Sequence, residues 1–183
     1  MSDIKTLRAY AEGRKLPAFR LIAVLPEPWI EYAYRVYSKT PISSDYAKEQ
    51  RERDHILGTS VEEYDTLTEF YNQLYPDNIV IHEAYDTLVG AHHFRFGELK
   101  VGHTIPTHID EPFTLRGLCV IKGQHKFTSE TGDSVIMNPG ELYFVNGCYK
   151  HSVENTSDTD RIALLNKFTL NEQNVNIIKN ELL

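Results

Sequence analysis

The chain has 183 residues, 19 lysines and arginines against 26 aspartates and glutamates, and a formal net charge of −7. That length suits one domain with a helical appendage, and 25% charged with 41% hydrophobic residues is the balance of a globular chain. The acidic surplus argues against nucleic acid as the main partner, since phosphate neutralisation leads affinity there; no apolar run approaches the ~20 residues of a membrane span.

The N-terminus, Met1-Ser2-Asp3-Ile4-Lys5, has no apolar signal core. Cys119 and Cys148 are too few for a secreted disulfide framework and are expected as buried, reduced residues. A cytoplasmic location is the resulting expectation.

Residues 1–77 read as mostly helical. Residues 19–25 are a short apolar run expected as a strand, stopped by Pro26 and Pro28. Over 27–38, Trp29, Tyr32, Ala33, Val36 and Tyr37 recur at helical spacing. Residues 44–56 are highly charged and expected as a solvated helix capped by Ser43 or Ser44. Ser60-Val61-Glu62-Glu63 reads as a capping box opening a further helix, ended by Pro76.

From residue 78 to 170 the helical period gives way to eight β-rich runs: 78–84, 92–103, 113–122, 125–128, 134–137, 141–145, 149–155 and 161–170. Short strands separated by polar turns predict a sandwich or jelly roll. Residues 171–183 read as a loop and short helix. The expected architecture is a single domain, mainly β with N-terminal helices (α+β).

The chemistry concentrates in Thr104-Ile105-Pro106-Thr107-His108-Ile109-Asp110. Strand residues two apart share a face, so His108 and Asp110 can converge. His151 offers a second imidazole some forty residues later. Two imidazoles and a carboxylate with open positions form the facial triad of non-heme Fe(II) oxygenases. Arg161 follows His151 by ten residues across a turn-rich link, which predicts a hairpin returning Arg161 beside His151. A guanidinium there would suit a carboxylate whose other end chelates the metal.

The stretch 108–168 resembles the aspartyl/asparaginyl β-hydroxylase-like branch of the 2-oxoglutarate- and Fe(II)-dependent oxygenases. The matching text is Ile105 to Asp110, Arg116, Pro139-Gly140-Glu141-Leu142-Tyr143-Phe144, His151-Ser152-Val153 with Asn155, and Arg161. The resemblance implies a double-stranded β-helix, with Fe(II) bound by His108, Asp110 and His151. It implies Arg161 on the distal carboxylate of 2-oxoglutarate and Arg116 near a co-substrate or substrate carboxylate. It further implies O₂ as co-substrate, release of succinate and CO₂, and hydroxylation of an amino acid, peptide or other small acid.

Arg116 has the alternative of pairing with Glu111, and Arg161 that of closing the Asp158/Asp160 turn. His82, His92, His93 and His103 are structural or substrate-facing alternatives, and His55 reads as solvated. The competing reading is a cupin-type binding protein or enzyme that does not use 2-oxoglutarate. His151-x-x-x-Asn155 resembles half of a cupin motif, whereas the first half expects His-x-His and here shows Asp110. A third reading is a non-catalytic jelly-roll interaction domain. Substrate identity and oligomeric state stay open.

Overall fold

Alternation of side chains across strands builds the molecule. In β11 (Arg161–Phe168), Ile162 and Leu164 join one buried cluster while Ala163 joins another, so the strand is apolar on both faces. A strand of that kind must lie in the middle of a sheet covered on both sides, and β11 does.

The computed structural model describes residues 11–39, 42–43, 58–60, 92–110, 115–168 and 178–179. Its other elements are β1 (Phe19–Val24), α1 (Glu27–Lys39), β2 (Ile42–Ser43), β3 (Gly58–Ser60), β4 (His92–Leu99) and β5 (Thr104–His108). There follow β6 (Leu115–Lys122), β7 (His125–Ser129), β8 (Ser134–Met137), β9 (Glu141–Asn146) and β10 (His151–Asn155). One sheet runs β1-β9-β6-β11-β4-β3-β2 and the other β5-β10-β7-β8. The paired strands are antiparallel.

The sheets face one another across Leu99, Ile105, Leu118, Val120, Phe127, Met137, Tyr143, Val145, Val153 and Ala163, the interior of a jelly roll. The opposite face of the larger sheet is covered by α1, through Trp29, Ala33 and Val36 against Phe96, Cys119, Ile121, Leu142, Ile162 and Leu164. Tyr37 at the end of α1 donates to Glu98 Oε2 at 2.8 Å. The Pro139-Gly140 turn launches β9. Gly140 has φ +87°, and a Cβ there would stand 3.0 Å from the Leu25 carbonyl oxygen, so glycine is required.

Sequence and structure agree on β1, α1 and the strands from β6 onward, within a few residues at their ends. Cys119 and Cys148 are free and buried, as expected. Thr104–His108 is a strand of its own outside the eight runs. Within the segment read as helical, β2 and β3 pair with each other, and β3 with β4. Ser60, read as a helix cap, is the last residue of β3. The helices expected over 44–56 and beyond Ser60, and the run 78–84, lie outside the described residues.

The expected β10–β11 hairpin is corrected. β10 pairs with β5 and β7, whereas β11 pairs with β4 and β6 in the other sheet. Asn155 makes the crossing. Its Nδ2 donates to the carbonyls of Leu99 at 3.0 Å and Thr159 at 2.9 Å, and its Oδ1 accepts from Ser157 N and Oγ. One buried amide thereby satisfies a turn that leaves one sheet and enters the other.

Candidate metal centre

β5 is an edge strand, which is why Pro106 is tolerated inside it. His151 lies directly opposite His108, yet Val153 lies opposite Ile105, so β5 carries one extra residue there. Ile105 and His108 are three apart and would face opposite sides of a regular strand. The bulge resets the alternation and turns both inward. The two imidazole centroids are 4.4 Å apart, and Phe127 stacks on His151 at 4.9 Å.

Asp110 follows just beyond β5, its backbone N–H donating to the Gly147 carbonyl at 3.2 Å. One ligand atom each from His108, Asp110 and His151 falls within 4.8 Å of the others. His108 Nδ1 contacts the Pro106 carbonyl oxygen at 2.8 Å, and His151 Nδ1 the Tyr149 carbonyl oxygen at 2.9 Å. Both carbonyls sit two residues before their histidine. A carbonyl only accepts, so each Nδ1 carries the proton and each Nε2 is left with its lone pair for a cation.

Burial pushes the Asp110 carboxyl up, but the neighbouring His108, Arg116 and His151 outweigh it, and the net shift is downward. Burial lowers the His151 imidazole, with Asp110 and the Tyr149 carbonyl opposing. An ionised carboxylate beside neutral imidazoles is the donor set a divalent transition metal requires.

Arg116, expected near a co-substrate carboxylate, stands against Asp110 with Nε 2.8 Å from Oδ2. Asp110 Oδ1 faces His108 Nε2 at 3.6 Å, so one oxygen is held by Arg116 while the other points at the centre.

Residues 95–166 match the family model of the Cupin domain. The match stops at that broader family rather than at the β-hydroxylase-like branch that the motifs resemble. No curated protein matches the chain. Among solved structures, the chain is similar to a predicted oxalate decarboxylase from Thermotoga maritima, at 26% identity and TM-score 0.38, covering 49% of this chain and 74% of that one. A DMSP lyase from Ruegeria pomeroyi is 19% identical at TM-score 0.38, covering 44% of this chain and 39% of the lyase. A cupin-2 domain from Rhodospirillum rubrum is 15% identical at TM-score 0.37, covering 44% and 52%.

In the jelly-roll interior, Arg161 shares the inward face of Ala163 and is 4% exposed. It pairs with Leu99 at the Asn155 end of the barrel. His151 lies at the other end of β10, four residues and about 13 Å away. Arg161 Nη1 lies 3.4 Å from the Gly97 carbonyl oxygen. Its Nε has no hydrogen-bond partner among the described residues.

His125 on β7, paired with Asn155, drew no attention in the sequence. It is fully buried and neither ring nitrogen has a hydrogen-bond partner among the described residues. Burial, then the Arg161 charge, holds its pKa well below 6.5. The only advance signal is its inward register with Phe127 and Ser129. Unfolding releases this imidazole to bind a proton below an unfolded pKa of about 6.5, so stability is present above that pH and falls as the pH drops through it. His125→Leu is expected to remove up to about 1.4 kcal/mol per pH unit of that slope, measured by urea unfolding between pH 5 and 7. An unchanged slope would assign the acid sensitivity elsewhere.

Among the described residues, no helix is long and apolar enough to cross a membrane.

Proposed function

We propose that the protein is a cupin-type metalloprotein whose single divalent transition metal, held by His108, Asp110 and His151, engages a small organic acid. The observation that carries this reading is the convergence of three ligand atoms within 4.8 Å. Both imidazoles have Nδ1 committed to a backbone carbonyl, which orients Nε2 inward. Three protein ligands leave coordination positions open, and the metal supplies Lewis-acid or redox chemistry there. The chain's own residues hold the ligand set rigid, through Arg116 on Asp110 and Phe127 on His151. The barrel's interior arginine provides the attraction for an acid in a chain whose net charge is −7.

Titrating metal-free protein with Co(II), a visible stand-in for iron, is expected to give a saturating d–d spectrum at one equivalent per chain. A spectrum without saturation near that point would overturn the reading.

Arg161 supports a second, finer reading: a 2-oxoglutarate-dependent dioxygenase acting with O₂ on an amino acid, peptide or other small acid. The carboxylate ligand Asp110 and the inward Arg161 suit a dicarboxylate that spans from metal to guanidinium. Under this reading, anaerobic Fe(II) protein develops a weak visible charge-transfer band on adding 2-oxoglutarate. A saturated iron site with no such band leaves the cupin-type reading standing alone.

A further inference from the structure

The turn between β9 and β10 touches two of the three ligand positions. The Gly147 carbonyl accepts from the Asp110 N–H at 3.2 Å, and the Tyr149 carbonyl accepts from His151 Nδ1 at 2.9 Å. Where this turn sits therefore sets where the ligands point.

The turn is held from its other side by residues 13–18, outside the stretch that matches the cupin family. Asn146 Nδ2 donates to the carbonyls of Gly13 at 2.8 Å and Pro17 at 3.1 Å, and Asn146 N–H to that of Ala18 at 2.9 Å. The Tyr149 hydroxyl lies 2.9 Å from the Arg14 carbonyl oxygen and 3.0 Å from that of Leu16. The Arg14 guanidinium covers the Tyr149 ring at 4.2 Å and pairs with Glu130. Leu16, 2% exposed, anchors the strap against Leu115 and Phe144. Gly13 lies flush on Cys148, where a Cβ would overlap the sulfur.

We propose that this strap is a positioning element of the metal centre, with Gly13 and Tyr149 its positioning residues. The strap fixes Tyr149, the Tyr149 carbonyl fixes the His151 imidazole, and Gly147 fixes Asp110. The Tyr149 carbonyl, a direct partner of His151, sets the direction of the ligand lone pair and so the affinity, and the strap acts through it. The inference rests on the metal reading above.

The test uses the full chain and Co(II). Gly13→Ala is expected to weaken binding by about 10–100-fold and to shift the d–d band as the turn is pushed toward the centre. Tyr149→Phe, which deletes one hydroxyl and keeps the ring under Arg14, is expected to move both readouts the same way by less. Gly13→Ala/Cys148→Ala removes the sulfur and leaves a Cβ–Cβ approach of 3.3 Å. It is expected to restore the band and constant toward those of Cys148→Ala alone. If wild type binds Co(II) and both single variants keep its constant and spectrum while melting lower, the strap is only structural and the proposal is overturned. If wild type itself gives no saturable spectrum, the metal reading falls and the proposal with it.

Discussion

Replacing His151 with alanine is expected to lower affinity for Co(II) or Fe(II) by more than about a hundredfold, beyond the cost of losing a partner in the surrounding shell. His151 is 4% exposed, faces His108 across the strand pair and carries one of three clustered ligand atoms. Without it two donors remain, too few to hold the ion against hydration by bulk water. The fold should survive, because His151 gives only one hydrogen bond to the backbone, to Tyr149, and the β5–β10–β7 ladder is main-chain. Circular dichroism of the metal-free variant should match wild type, while the d–d band disappears. Retention of the band at its original strength would place the metal on other residues.

The second large effect is on stability. Arg161→Met is expected to stabilise the metal-free protein, by less than the roughly 1–4 kcal/mol seen when a whole buried ion pair gives way to packed apolar groups, because Glu98 stays behind. Arg161 is buried with burial lowering its pKa to about 10, and Glu98 is the counter-charge that opposes the shift. Yet Glu98 is already engaged by Tyr37 and Lys100. Methionine fills similar volume beside Ala163 and Gly97 without a charge to desolvate. The same variant should bind a dicarboxylate such as 2-oxoglutarate at least about tenfold more weakly, on the order of 1.4 kcal/mol. Urea unfolding and calorimetric titration read the two quantities separately. A destabilised variant with unchanged acid binding would make Arg161 a structural cation.

The approach of His108 to Asp110 was legible in their two-residue spacing, whereas His151 joins them through its register opposite His108. β8 was likewise legible from local sequence, at its full extent, 134–137. What local spacing does not encode is the sheet a strand joins. The link between Asn155 and Arg161 has the length of a hairpin turn, and only the strand pairings, with the four contacts of the Asn155 amide, show that it crosses between sheets. The β5 bulge is hidden likewise: one extra residue is visible only against the partner strand. Arg116 illustrates a third limit, since its spacing from His108 leaves the choice of carboxylate open, and three-dimensional proximity selects Asp110.

The position of β1 bears on how this protein is cut into pieces. β1 pairs along β9, a strand in which Leu142 and Phe144 are wholly buried. The segment that matches the cupin family begins at residue 95, well after β1. A fragment trimmed to that match would leave β9 with a bare row of amides and carbonyls beside apolar side chains, a template for any other extended chain. β1 thus covers the edge of β9 and becomes the outer strand itself, so the sheet extends beyond the stretch that matches the family model.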